Sequence, residues 1–124
     1  MTCNTAAPLT PSLEAGSPQT VTYAPSFVDG AGSASLLPEM WTMLKSLIDG
    51  SAMVSLEQAA EAIRMLVERM HIVAEGAGAL PLAAALSGKA GGGTICCVIS
   101  GGNIDSSRLA SLLTQAPGAT GPNT

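Results

Sequence analysis

The stretch TICCVISGGN, residues 94–103, decides the fold class of this 124-residue chain. Its first six residues are all apolar or β-branched, which is typical of a strand covered on both faces in a parallel sheet. A turn rich in glycine follows, and Asn103 or Asp105 can cap a helix after it. This order predicts an α/β fold with a central strand of parallel type. Ligands in such folds bind beyond the carboxyl ends of the strands, so a site is predicted at Ser100, Gly101, Gly102 and Asn103.

The turn at residues 100–103 has two explanations. Glycines let the backbone approach a flat ligand closely, and Ser100 would direct its hydroxyl into the crevice. Alternatively, a tight connection between strand and helix requires glycine and binds nothing. The spacing of these residues does not distinguish the two.

Helical patterns dominate the rest of the chain. Ser55 and Gln58 have the spacing of a capping box, and apolar residues recur after them at intervals of three and four. Farther along, Pro81 is expected in the first turn of a short alanine-rich helix, because proline is tolerated there. The predicted helices are residues 38–49, 56–72, 79–86 and 105–113.

Composition suggests three regions. Residues 1–25 hold four prolines and are expected to be irregular, with a possible short strand at residues 19–23. Residues 26–113 form the main domain, and residues 114–124 resemble a disordered tail. A strand covered on both faces needs neighbouring strands, and only one weak candidate is present. We therefore expect the remaining strands to come from other polypeptide.

Charge and cysteine content exclude several classes of function. The net charge is −4, and the five basic residues are scattered, so no nucleic-acid partner is expected. No apolar run reaches the roughly 20 residues that cross a bilayer, so no membrane partner is expected and the location is predicted to be cytoplasmic. Cys96 and Cys97 are adjacent and would face opposite ways on a strand. With one histidine in the chain, no metal site is predicted.

A second segment of small residues is EGAGA, residues 75–79. It places Glu75 between apolar Val73 and the start of a helix. The carboxylate is either a functional group in a site or a charge stabilised by the positive end of the helix dipole. The second explanation is favoured.

Three segments together resemble the pyridoxal-phosphate (PLP) dependent serine/threonine dehydratase family, which shares its fold with the tryptophan synthase β-chain. They are FVDGAGSASLLPEMW (27–41), VAEGAGALPLAAAL (73–86) and VISGGNID (98–105). They occur in the order of the family, and the resemblance covers about residues 8–113. It implies a partial tryptophan synthase β-like domain, that is, a fold type II PLP enzyme domain, from the C-terminal portion of the enzyme.

The resemblance implies a role for each residue of the predicted site. The serine matching Ser100 hydrogen-bonds the pyridine nitrogen of PLP. A hydroxyl does not enforce protonation of that nitrogen, which moderates the electron sink and suits the elimination of a β-hydroxyl group. The implied cofactor-binding residues are Ser100, Gly101, Gly102, Asn103, Glu75, Gly76 and Gly30.

The implied reaction is deamination of L-threonine or L-serine to a 2-oxo acid and ammonia. In the family a lysine holds PLP as a Schiff base, and a separate glycine-rich loop binds its phosphate. Neither motif occurs here, because Lys45 in MLKSLI and Lys89 in SGKAGGG have other contexts. The chain is therefore expected to contain no catalytic residue and to be inactive alone. It would need the N-terminal part of the same enzyme or a second chain, and the complete enzyme is expected to be a homo-oligomer.

Two other functions remain open at this point. One is a non-catalytic α/β module that assembles with another polypeptide. The other is a piece of a different fold type II PLP enzyme, a racemase or an enzyme of β-replacement.

Overall fold

The computed structural model of the chain describes residues 2–3 and 7–115. Helices dominate these residues, as predicted, and the only sheet among them is a parallel pair with Cys3 opposite Val54. The helices are α1 (Leu9–Ala15), α2 (Pro38–Leu47), α3 (Leu56–Met70), α4 (Gly76–Leu86) and α5 (Ser106–Thr114), and the strands are β1 (Thr2–Cys3) and β2 (Met53–Val54).

Helix α3 begins at the predicted capping box. The backbone N–H of Gln58 donates to the Ser55 hydroxyl over 3.2 Å, and the backbone N–H of Ser55 donates to Oε1 of Gln58 over 2.9 Å. These two bonds satisfy donors that the first turn of a helix leaves without partners. The helix ends at Met70, because His71 takes the left-handed conformation with φ 57°.

The core lies between α3 and α4, which pack against each other along their length. Most of the core residues are small, and alanine allows the two helix backbones to approach closely. Leu112 of α5 packs against the same cluster. The buried residues of these helices are Ala59, Ala60, Ala62, Ile63, Leu66, Ala79, Leu80, Ala83, Ala84 and Leu112.

Helix α4 begins three residues earlier than predicted. It starts at Gly76, so Pro81 is its sixth residue instead of lying in the first turn. A proline in a helix interior removes one backbone hydrogen bond and costs about 3 kcal/mol. Burial of Leu80 and Ala83 against α3 offsets this cost. The predicted start was wrong because tertiary packing overrides the local preference of proline.

Helix α1 lies inside the segment that was expected to be irregular. Pro8 is its N-cap and Pro11 its third residue, where the missing N–H has no partner to lose. The buried Ser12 hydroxyl donates to the Pro8 carbonyl over 2.6 Å and accepts from the backbone N–H of Gln19 over 2.9 Å. The density of proline therefore did not indicate irregular chain at this helix. The possible strand at residues 19–23 is reduced to one antiparallel bridge between Thr20 and Ser35.

The predicted central strand, residues 94–99, forms no sheet with the described part of the chain. Ile99 packs against the core, whereas Val98 is 68% exposed. A strand is held by hydrogen bonds to neighbouring strands, and the described residues supply none here. After it, α5 begins with Asp105 as N-cap, as predicted.

Two other expectations concern the ends and the surface. All but the first two residues of the predicted tail, residues 114–124, lie outside the described residues. None of the helices among residues 7–115 is long and apolar enough to cross a membrane.

Candidate functional site

Three loops meet at the first turn of α4. The central loop carries Glu75, whose backbone N–H donates to the Gly101 carbonyl over 2.9 Å. A Cβ placed on Gly30 would lie 3.2 Å from Oε1 of Glu75. The loop that contains Gly30 includes a short 3₁₀ turn, Asp29–Ala31. Residues that are far apart in sequence and that we predicted as one site, Gly30, Glu75 and Gly101, are therefore adjacent.

Two glycines of α4 allow this meeting because a side chain at either would strike backbone. A Cβ on Gly76 would collide with the Phe27 carbonyl oxygen and lie 2.9 Å from Cα of Val28. A Cβ on Gly78 would lie 2.7 Å from the Gly101 carbonyl oxygen. The sequence analysis included Gly76 and missed Gly78. The signal for Gly78 was its position two residues after Gly76 at the start of a buried helix.

The glycines of the SGGN turn face protein. A Cβ on Gly101 would lie 2.6 Å from Oε1 of Glu75, and a Cβ on Gly102 would lie 3.0 Å from the Val73 carbonyl oxygen. The backbone N–H of Ile104 closes the turn by donating to the Gly102 carbonyl over 3.0 Å. Close packing of two loops therefore explains why glycine is needed at these two positions.

Ser100 and Asn103 flank the turn and are both exposed. Neither side chain makes a hydrogen bond to a residue of the described ranges, 2–3 and 7–115. The Ser100 hydroxyl is therefore able to donate to a ligand, because packing of the turn does not occupy it. Of the residues in this turn, Ser100 is the one whose side chain chemistry the fold leaves unused.

Glu75 is half-buried and is the N-cap residue of α4. It lies at the positive end of the helix dipole, where the favoured explanation placed it. Its carboxylate accepts no capping hydrogen bond from the helix. Instead the carboxylate lies against the open sides of Gly101 and Gly30, between the two loops that flank α4.

The two lysines lie outside these loops. Lys45 is in the last turn of α2 and is exposed. Nζ of Lys89 donates to the Met53 carbonyl over 2.6 Å, at strand β2. Among the described residues no group of three His, Cys, Asp or Glu side chains could hold a metal ion.

The chain matches a family model described as "Pyridoxal-phosphate dependent enzyme" over residues 2–101. A putative threonine dehydratase from Sinorhizobium fredii is 38% identical over 109 residues, which are 85% of this chain and 33% of that protein. A catabolic L-threonine dehydratase from Staphylococcus aureus is 38% identical over 78 residues, which are 59% of this chain and 22% of that protein. The chain thus spans a third or less of the length of these relatives.

Two solved structures are similar to the chain. The threonine deaminase of T.th. has a TM-score of 0.73 and 34% identity, over 82% of this chain and 37% of that one. Maize serine racemase has a TM-score of 0.77 and 27% identity, over 89% of this chain and 36% of that one. Both are fold type II PLP enzymes, so the predicted fold class is confirmed as a partial domain of that type.

Proposed function

The chain belongs to the pyridoxal-phosphate dependent enzyme family, and from this premise we propose that it forms one wall of the PLP pocket of an ammonia-lyase. The reaction is deamination of L-threonine or L-serine to a 2-oxo acid and ammonia. Relatives named threonine dehydratase and threonine deaminase support this assignment. The observation that carries it is the exposed Ser100 hydroxyl, which has no hydrogen-bond partner among the described residues.

The residues present fit the cofactor. A pyridine ring has one hydrogen-bond acceptor in its plane, and Ser100 offers one unused donor beside a turn without side chains at Gly101 and Gly102. Bound PLP supplies an electron sink for the carbanion that forms when a substrate loses its α-proton. The Ser100 hydroxyl donates a hydrogen bond to the ring nitrogen and keeps its own proton, so the nitrogen stays uncharged and the sink is moderated.

The neighbouring residues hold Ser100 in place. The bond between the Glu75 N–H and the Gly101 carbonyl fixes the residue directly after Ser100. Gly102 closes the turn, and exposed Asn103 and the loop of Gly30 border the same opening. Gly76 keeps that loop against α4. We assign Ser100 the hydrogen bond to the cofactor and the other residues the shape of the wall.

The described lysines do not supply the covalent attachment of PLP. Lys89 is bound at the Met53 carbonyl and Lys45 is on α2, whereas the candidate wall is at the start of α4. We therefore propose that a lysine from polypeptide outside this chain completes the site, and that the chain alone does not turn over substrate. Residues 26–113 are proposed as the unit that builds the wall.

Ser100→Ala in the complete enzyme tests the assignment, with Ser107→Ala as the matched control on exposed α5. We expect Ser100→Ala to lower kcat for L-threonine by about tenfold or more, the rate equivalent of about 1.4 kcal/mol, with the melting temperature close to that of the control. Equal losses of rate and stability would leave Ser100 a structural residue.

A second readout is the nitrogen-15 chemical shift of PLP labelled at the ring nitrogen. Ser100→Asp should move it toward the protonated form, because a carboxylate stabilises a pyridinium. An unchanged shift would contradict contact between residue 100 and the ring.

Serine racemisation is the second candidate function, because the structure aligns with maize serine racemase over 89% of the chain. Incubation of the complete enzyme with L-serine decides between the two. Formation of a 2-oxo acid and ammonia supports the lyase, and D-serine as the main product supports the racemase.

The location and assembly of the complete enzyme are also proposals. We place it in the cytoplasm, which fits the free thiols of Cys3, Cys96 and Cys97 because structural disulfides are rare there. The family resemblance implies a homo-oligomer. Light scattering of the purified complete enzyme measures its mass and tests that implication.

A further inference from the structure

Residues 94–100 present an unsatisfied edge of backbone. None of their N–H or C=O groups makes a hydrogen bond to another residue of the described ranges. The segment is rich in β-branched residues, which favour strands. Backbone polar groups that become buried need partners, so whatever covers this segment has to supply donors and acceptors in a row.

The side chains of this segment alternate in exposure. Cys97 and Ile99 are half-buried, and Ile99 packs against the core. Cys96, Val98 and Ser100 are exposed, and Val98 is 68% exposed. An alternation with period two is the signature of a strand with one face on a core. The opposite face is apolar and ends at the Ser100 hydroxyl.

We propose that residues 94–99 are the docking strand for the polypeptide that supplies the PLP lysine, which adds a β-strand beside them. The inference rests on the proposed function. Strand addition pairs the free N–H and C=O groups, and side chains from the incoming polypeptide cover Cys96 and Val98. Because Val98 and Ser100 share a face, this docking also brings the incoming polypeptide next to the candidate cofactor wall.

A second copy of this chain is the competing occupant. It could pair through its own residues 94–99. It would bring no free amine on the loop before that strand, because Lys89 already donates to the Met53 carbonyl. The missing lysine therefore favours a different polypeptide over self-association.

Co-expression tests the proposal. The chain is made without a tag beside a tagged lysine-bearing portion of a threonine dehydratase, taken from a relative whose own matching segment rejoins that portion on co-expression. We expect the chain to co-purify with the tagged portion. In the complex, amide hydrogens of residues 95–100 should exchange at least about tenfold more slowly than in the isolated chain, as buried strand hydrogen bonds do.

Variants locate the contact. Val98→Lys places a charge in the proposed interface and should reduce co-purification by about tenfold or more. Val98→Thr keeps a β-branched side chain and should retain binding. Leu86→Lys is the matched control, because Leu86 is also apolar and exposed, at 51%, but lies at the end of α4. Cys96→Arg is a second variant on the docking face if Val98→Lys lowers the melting temperature of the isolated chain.

Each other outcome overturns the inference. Lack of co-purification, protection confined to other segments, or equal effects of Val98→Lys and Leu86→Lys would remove residues 94–99 as the docking strand. An isolated chain that forms a dimer which Val98→Lys dissociates would identify a second copy as the occupant. A complex with protected residues 95–100 that holds no PLP would leave the docking intact and contradict the proposed function instead.

Discussion

The carboxylate of Glu75 occupies the space that a side chain on Gly101 would need. Oε1 of Glu75 lies 2.6 Å from the Cβ position of Gly101, and the backbone N–H of Glu75 donates to the Gly101 carbonyl over 2.9 Å. One residue thus holds the SGGN turn by its backbone and covers it by its side chain. The turn after Ser100 is consequently shaped by a loop that lies about 25 residues earlier in the sequence.

The first prediction is that residues 75 and 101 are coupled. Gly101→Ala should lower the free energy of unfolding by about 2 kcal/mol, because the new methyl group overlaps the Glu75 carboxylate. Most of that loss should disappear in a Glu75→Ala background, which removes the overlapping atoms. Urea denaturation of the four variants of a double-mutant cycle measures the coupling. Strictly additive effects would show that the two side-chain positions do not compete.

The second prediction concerns the contact between α4 and the loop before it. Gly76→Ala should cost about 3 kcal/mol or more, because the added Cβ meets the backbone of Phe27 and Val28, which cannot rotate away. Gly50→Ala is the control, since its Cβ would meet no atom within 4 Å. Thermal unfolding of both variants compares them. Similar melting temperatures for the two would contradict the tight contact at Gly76.

The third prediction is that His71 carries backbone strain. Its φ of 57° is in the left-handed region at the end of α3, where glycine has no steric penalty. His71→Gly should raise the free energy of unfolding by about 0.5–1 kcal/mol. His71→Ala is the comparison, because alanine keeps the steric penalty and should give no gain. A loss of stability in His71→Gly would mean that the histidine side chain stabilises the helix end.

The fourth prediction concerns Arg64, which links α3 to α5. Its Nη1 donates to the Leu112 carbonyl over 3.0 Å, while Nη2 pairs with Glu61 over 2.8 Å. Arg64→Met should destabilise α5 by about 1–2 kcal/mol, because a charged donor at a partly buried carbonyl is lost. Amide exchange should therefore speed up in α5 more than in α3. Arg69→Met is the control on the exposed end of α3, and an equal effect from it would contradict the link.

Local signals predicted the elements whose causes are local. The capping box of Ser55 and Gln58 located α3, and the apolar spacing located its core face. Helix α1 was missed because Pro8 and Pro11 signal irregular chain unless they lie at an N-cap or in a first turn, and the sequence does not mark that difference. The start of α4 was missed because Gly76 is set by its contact with Phe27, which is distant in sequence.

The candidate site shows the same division. Periodicity and turn chemistry singled out Glu75 and the SGGN turn separately, but nothing in their spacing brings them together. Their adjacency depends on how α3 and α4 pack. Gly78 escaped notice because its reason is the nearby Gly101 carbonyl. The central strand was predicted from composition, and its hydrogen bonds require neighbours that the described residues do not contain.

Reductive trapping of PLP tests the central claim most directly. The chain and its complex with the lysine-bearing polypeptide are each incubated with PLP, reduced with borohydride and mapped by mass spectrometry. The account predicts a single stoichiometric adduct in the complex, on a lysine of the added polypeptide, weakened by Ser100→Ala, and no specific adduct on the chain alone. A stoichiometric adduct on Lys45 or Lys89 would contradict it and make the chain a PLP protein that supplies its own lysine.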